Sequence, residues 1–365
     1  MQLTSSLLLS FSSSSTFLTL LLLHTILIVH GQHLIPNRSR VPAFLAFGDS
    51  LLDPGNNNVL QTVLKSDFPP YGKDFEGHEP TGRFSNGKIA TDFVASYLGL
   101  KELLPAYLDP ELKPEDLLTG VSFASAGTGY DVLTAETLSV LSMWDQLDLF
   151  RDYIEKLKQV AGVERAHSII SDSLYIVSGG SNDILVTYFD TTLRTWHRDV
   201  SSYVDLLIHS ASNVVKELYS LGARKIGLVG LTPLGCLPFQ RSFKGGIQRT
   251  CATPANQAAI KFNSKLIKEA KTFSSKLKGS RISYLNLYDP LHAVIQNPSN
   301  YGFEESSRGC CGTGKIEISF LCNDLSPHTC SNASKYAFWD SFHPSERLIE
   351  IVLAQVIKND FPSLL

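Results

Sequence analysis

Short apolar runs alternate with longer amphipathic stretches along most of the chain. The runs at 43–47 (AFLAF), 120–124 (GVSFA), 173–177 (SLYIV), 225–229 (KIGLV) and 282–287 (ISYLNL) are predicted strands. Amphipathic stretches near 87–98, 140–161, 200–221, 254–278 and 345–358 are predicted helices. Pro254 and Pro344 stand where the start of a helix tolerates proline. Strands that alternate with helices argue for an α/β fold, a parallel sheet covered on both faces. No fixed-period repeat stands out, and no Pro- or Ser-rich linker divides the chain after residue 40, so one domain over 32–365 is expected. The segments 53–86 and 297–334 are too rich in Gly, Pro and Asn for regular elements. Long loops of this kind usually line a site.

The N-terminus breaks the pattern. Residues 1–31 contain no Lys, Arg, Asp or Glu and become strongly apolar over 17–29 (FLTLLLLHTILIV). This reads as a secretory signal peptide, although no basic residue precedes the apolar run. An uncleaved anchor is the alternative, but the run is short for a span, which needs ~20 apolar residues. The 365-residue chain as a whole has an ordinary globular balance, 43% hydrophobic and 18% charged. Its net charge of −3 gives no reason to expect nucleic acid or an anionic membrane as partner. The six cysteines, Cys236, Cys251, Cys310, Cys311, Cys322 and Cys330, agree with export, where an even count favours disulfides. The adjacent Cys310 and Cys311 lack the spacing of a zinc site, and no metal is expected. Cys236 and Cys251 enclose a compact Pro/Gly-containing loop and are expected to pair, the other four pairing within the loop before Asp340. Asn37 and Asn332 head N-glycosylation sequons, which matter only in a secreted chain.

In open parallel α/β sheets, ligands bind beyond the carboxyl ends of the strands. The first run leads directly into Gly48-Asp49-Ser50, where Gly48 permits a sharp turn and Ser50 stands exposed. A helix N-cap is the other reading of that serine. Asn56, Asn57 and Asn58 follow, and are expected to form a polar lip to a pocket. The second run ends in Ser125-Ala126-Gly127-Thr128-Gly129, which could bring backbone N–H groups close to a ligand or merely turn the chain. The third ends in Gly180-Ser181-Asn182-Asp183, where Asn182 could donate to an oxyanion or hold a turn. Near the C-terminus, Asp340 and His343 are three residues apart, so the acid can hold the imidazole tautomer. A carboxylate capping a helix is compatible with that role. A nucleophilic serine needs a base, an acid and oxyanion donors, and all four pieces fall at the ends of elements.

These blocks resemble the plant-type GDSL esterases/lipases of the SGNH hydrolase superfamily over nearly all of the chain beyond the leader. The first block is Phe47-Gly48-Asp49-Ser50-Leu51 with Asp53, Gly55, Asn56 and Asn57, followed by Pro70-Tyr71-Gly72 and by residues 80–87 (PTGRFSNG). The others are Phe123-Ala124-Ser125-Ala126-Gly127, Gly180-Ser181-Asn182-Asp183, residues 234–238 (LGCLP), residues 310–314 (CCGTG), and Phe338-Trp339-Asp340 through His343-Pro344. Ala126 stands where glycine is frequent, and Thr232 replaces a usual proline before Pro233.

The resemblance implies a three-layer α/β/α sandwich with a flavodoxin-like parallel sheet. It implies Ser50 as nucleophile, His343 as general base and Asp340 as its orienting acid. The oxyanion would be held by the backbone N–H groups of Ser50 and Gly127 and the side chain of Asn182. The expected activity is hydrolysis of carboxylic esters, of lipid, polyester or acylated small molecules or glycans, with no cofactor. An acyltransferase on the same triad, or a non-catalytic glycan- or lipid-binding module, is the alternative. The expected location is extracellular, in the cell wall or apoplast for a plant protein, with no stable membrane span after leader removal.

Overall fold

A computed structural model describes residues 41–365, Thr192 apart. The proposed signal peptide (residues 1–31) and Asn37 lie outside the described residues. Four parallel strands form the central sheet in the order β1 (Phe44–Phe47), β2 (Leu174–Val177), β3 (Lys225–Val229) and β4 (Arg281–Leu285). The register places Phe47 beside Val177, Val177 beside Leu228, and Leu228 beside Tyr284. The predicted strand at 120–124 is reduced to isolated parallel bridges at Ser122, to Ala46 of β1 on one side and to Ala106 on the other. Its backbone still hydrogen-bonds β1, with Ala46 N–H donating to Val121 and Phe123 N–H donating to Ala46. Counting this segment second, the spatial order is 2-1-3-4-5, the flavodoxin-like arrangement of an α/β/α sandwich.

Two groups of helices cover the two faces. The helices Met143–Ala161, Val200–Ser220 and Thr253–Lys276 pack on one another, as do Ala90–Tyr97, Tyr288–Gln296 and Glu346–Asn359. Met143–Ala161 begins at a capping box, in which Ser142 and Asp145 bond each other's backbone N–H, and it ends at Gly162 in a positive-φ conformation. Met143, Leu147, Phe150, Ile154 and Leu157 recur every three to four residues and are buried. Phe150 meets Phe47, Phe123 and Tyr175 of the sheet at ring distances of 5.5–5.7 Å. The opposite face of the sheet presents Ile176, Val229 and Leu285.

The segment 297–334 departs from its predicted irregularity. It contains Glu305–Gly309, a strand that pairs in parallel with Tyr336–Phe338. This second sheet holds the chain that carries Asp340. All six cysteines are paired, as Cys236–Cys251, Cys310–Cys330 and Cys311–Cys322. No helix among the described residues is long and apolar enough to cross a membrane.

Candidate active site

The turn after β1 depends on a missing side chain. Gly48 has a φ of +141°, and a Cβ there would lie 2.2 Å from the Ser178 carbonyl beyond β2. Buried Gln146 closes the turn from the other side. Its amide oxygen accepts Gly48 N–H at 2.7 Å, and its amide nitrogen donates to the Gly48 carbonyl at 3.0 Å. Ser50 follows, only partly buried, with its Oγ 2.8 Å from His343 Nε2. His343 Nδ1 lies 2.7 Å from Asp340 Oδ2, and Asp340 is fully buried. The carboxylate oxygen fixes the proton on Nδ1, leaving Nε2 to accept the serine O–H. Residues 293 positions apart thus meet in one hydrogen-bonded chain.

The aspartate is held from several directions. Its Oδ1 accepts the backbone N–H groups of Phe342 at 2.8 Å and His343 at 2.7 Å. Its Oδ2 also accepts the Tyr71 hydroxyl at 2.7 Å. Tyr71 is fully buried and in turn accepts the Ser319 N–H at 2.8 Å. Burial and the Asp340 charge push the Tyr71 phenol well above its ordinary value, so it stays a donor. Sequence reasoning matched Pro70-Tyr71-Gly72 to a family block and gave it no role. Asp340 does not cap a helix: Ser345 caps Glu346–Asn359 instead, its hydroxyl accepting the Leu348 N–H.

The three asparagines do not form a pocket lip. Asn56 and Asn57 are buried, and their amides donate to Ser122, Ala124 and Ala126 carbonyls at 2.7–3.0 Å. Buried amides must find partners, and here they tie the Ser50 turn to the segment leading to Gly127. Asp53 strengthens that tie. Its Oδ1 accepts Gly55 and Asn56 N–H, and its Oδ2 accepts Ala126 N–H at 2.9 Å. Burial nevertheless pushes the Asp53 carboxyl up to about 6, and that of Asp49 likewise.

Ser50, Gly127 and Asn182 line one cavity with His343. Gly127 has a φ of +93°, and a Cβ there would lie 2.5 Å from Leu64 Cδ1. The backbone N–H groups of Ser50 and Gly127 donate to no described residue, which leaves both free for a ligand. Asn182 Nδ2 donates to the Thr128 carbonyl at 2.9 Å. One amide hydrogen therefore secures the loop, and the second is available to a ligand. Beside Asn182, Asp183 is buried and accepts Tyr130 and Asp131 N–H at 2.7 and 3.1 Å. Desolvation raises its carboxyl to about 7.

The cavity has a volume of about 370 Å³ and continues past the triad between the sheet and the helix Glu346–Asn359. No cluster of metal-ligating side chains occurs among the described residues. Asn332 is exposed, and its side-chain oxygen accepts the Ser334 hydroxyl at 2.7 Å.

Comparison with known proteins identifies the family that the chain resembles. A protein-family profile described as GDSL-like lipase/acylhydrolase matches residues 44–356. The chain is 47% identical over 329 residues to GDSL esterase/lipase At5g42170 of Arabidopsis thaliana, covering 90% of this chain and 88% of that one. It is 50% identical over 318 residues to GDSL esterase/lipase At1g59030 of the same plant, covering 87% and 90%. Among solved structures, an acetylxylan esterase from Geobacillus stearothermophilus covers 89% of this chain and 96% of its own, at 14% identity and a TM-score of 0.38. That likeness is too distant for a functional reading.

Proposed function

We propose that this chain, which belongs to the GDSL-like lipase/acylhydrolase family, hydrolyses carboxylic esters through an acyl-enzyme on Ser50. That it is a serine ester hydrolase follows from the family and from relatives named GDSL esterase/lipase. The residue roles are the proposal, and the hydrogen-bonded chain Ser50–His343–Asp340, at 2.8 and 2.7 Å, carries it.

Ser50 Oγ attacks the ester carbonyl carbon while its proton passes to His343 Nε2. Asp340 holds the resulting imidazolium through Nδ1–H. The carbonyl oxygen becomes an oxyanion within reach of the unengaged N–H groups of Ser50 and Gly127 and the second amide hydrogen of Asn182. Collapse breaks the bond to the alcohol oxygen, which leaves with the proton from His343. Water then attacks the acyl-enzyme, giving its proton to His343, and Ser50 departs with that proton restored. We further propose that residues 1–31 direct export to the extracellular space and are removed, which fits the three disulfides and the exposed sequon at Asn332.

The test is labelling of purified protein by a fluorophosphonate, with hydrolysis of p-nitrophenyl acetate in parallel. Both should vanish in Ser50→Ala while circular dichroism is unchanged, because the Oγ makes no packing contact that the fold needs. More than trace activity in a folded Ser50→Ala variant would remove Ser50 as nucleophile.

A further inference from the structure

The imidazole of His343 is held at two points on its rim. Nδ1 lies 2.7 Å from Asp340 Oδ2, and Nε2 lies 2.8 Å from Ser50 Oγ. Hydrogen bonds at ring nitrogens run close to the ring plane, so these two leave the ring able to tilt about the line that joins its nitrogens. A third contact removes that freedom. The phenyl ring of Phe84 lies 4.8 Å from the imidazole between centroids, with 41° between the planes. The separation is near the short end of the ~4.5–7 Å range of aromatic pairs, where ring faces overlap in part. Phe84 is buried and lines the cavity with Ser50 and His343.

Phe84 is itself fixed from both sides. Arg83 Nε and Nη2 donate to the two carboxylate oxygens of Asp92 at 2.8 Å each, and Nη2 also donates to the Leu104 carbonyl at 3.0 Å. Arg83 and Asp92 are buried, and a buried ion pair tolerates little movement, because either charge alone would be left without a partner. On the other side, the Ser85 carbonyl accepts Gly72 N–H at 3.0 Å. The Asn86 side-chain oxygen accepts Glu346 N–H at 2.9 Å, at the start of the helix that follows His343. The Phe84 ring also meets the ring of Tyr71 at 5.7 Å, and the Tyr71 hydroxyl bonds Asp340. Residues 83–86 thus bring one aromatic ring against the proposed base and join it to the support of the proposed acid. Nothing in the sequence marks them for that part.

We propose that Phe84 is a positioning residue for ester hydrolysis: its ring keeps the His343 imidazole in the plane that joins Ser50 to Asp340, and favours the charged imidazolium over the neutral ring. The proposal rests on the reading of His343 as general base. The imidazolium forms on the way to each tetrahedral intermediate, as serine or water gives up its proton. An aromatic ring attracts a cation through its quadrupole, more strongly where water is excluded. A neutral imidazole feels much less of that attraction. The contact therefore stabilises the transition state more than the resting enzyme, which raises kcat. A desolvated contact of this kind supports about 10-fold in rate, ~1.4 kcal/mol. A leucine of similar bulk would fill the space without that preference for charge. The other charged groups that act on the imidazole are Asp340, on its own loop, and the buried Asp49 beside Ser50. Arg83 is paired with Asp92 instead.

The experiment places difluoro- and trifluorophenylalanine at position 84 and measures kcat and KM for p-nitrophenyl acetate, normalised to fluorophosphonate titre. Fluorine draws electrons from the ring face and changes the ring's shape little. kcat should fall stepwise, by ~3- to 10-fold with three fluorines, while KM stays within about 2-fold. Phe84→Leu should lose about 10-fold in kcat at neutral pH, and the acid limb of its kcat/KM profile should move to lower pH by about half a unit to one unit, because the charged ring loses support. Asp340 and Asp49 are the same in every variant, so only the difference between profiles is read. The fluorinated pair decides the matter should Phe84→Leu not fold. A kcat independent of the number of fluorines, or a folded Phe84→Leu enzyme with an unshifted acid limb, overturns the role of Phe84 while hydrolysis through Ser50 stands. Wild-type activity in a folded His343→Ala variant overturns the reading of the base instead.

Discussion

Replacing Tyr71 by Phe removes a single oxygen and reaches the proposed catalytic acid, Asp340, without touching the proposed triad. The hydroxyl has two partners, Asp340 Oδ2 at 2.7 Å and the Ser319 N–H at 2.8 Å. Its loss leaves Ser319 N–H buried and unpaired, at ~1–3 kcal/mol, and removes a hydrogen bond to a carboxylate worth ~1.5–3 kcal/mol. The ring keeps its contacts with Phe68, Phe84 and Trp339, at 5.7–6.1 Å between centroids, so no cavity opens. A net loss of roughly 2–4 kcal/mol of stability is expected. Catalysis should suffer less. Asp340 keeps the Phe342 and His343 N–H groups and the imidazole itself. A fall of about ten-fold in kcat, ~1.4 kcal/mol in barrier, with KM unchanged, is the expected result. Asp340→Asn should lose far more, since the same change in an unrelated protease costs ~10⁴ in kcat. The assay pairs urea unfolding with steady-state kinetics normalised to fluorophosphonate titre. A Tyr71→Phe enzyme as stable as wild type, or one whose kcat falls as far as that of Asp340→Asn, refutes this division of labour.

Other perturbations probe the rest of the site. Asn182→Ala should lower kcat by ~10²–10³ with little change in KM, and should also lower stability because the bond to the Thr128 carbonyl is lost; a folded, fully titratable variant with normal kcat would take Asn182 out of the oxyanion hole. Asp183, raised by burial from 3.8 to about 7, keeps in the folded state a proton that the unfolded chain releases near pH 4. Its contribution to stability is therefore fully present below about pH 4 and is lost as pH rises towards 7. The stability of Asp183→Asn relative to wild type should then climb by up to ~1.4 kcal/mol per pH unit across that window, and a difference independent of pH in urea titrations would disprove it. Removing the Cys311–Cys322 bridge by serine at both positions should cost ~2–4 kcal/mol and reduce activity, because Cys311 N–H bonds the Trp339 carbonyl next to Asp340. Free thiols at these positions in the wild-type protein, found by non-reducing mass spectrometry, would contradict the pairing.

The strands of the sheet and the residues of the proposed site were legible because both leave local marks. Four of the five apolar runs became β1–β4, and Ser50, Gly127 and Asn182, which come soon after the first three runs, line one cavity with His343. The run at 120–124 fell short of a strand because its pairing on each side, to β1 and to the backbone near Pro105 and Tyr107, is confined to a single bridge at Ser122. The asparagines misled for a different reason. Polarity suggested exposure, whereas Asn56 and Asn57 spend their amides on buried carbonyls. Tyr71 was marked only as part of a matching block, with no role attached, and Gln146 was not marked at all. Tyr71 meets Asp340 across 269 positions, and Gln146 meets Gly48 across 98. No period or spacing encodes such pairs; only the closed fold brings them together.

The distance along the chain between Ser50 and His343 also sets an order in time. At synthesis rates of ~5–20 residues per second, the 293 positions between them take roughly 15–60 s to make. The proposed nucleophile is born first, without its proposed base and acid and without the Tyr71–Ser319 brace complete. Until the last few dozen residues arrive, the growing polypeptide carries a serine no more reactive than any other. A hydrolase arranged this way stays inert while it is being built, and becomes competent only as a finished molecule.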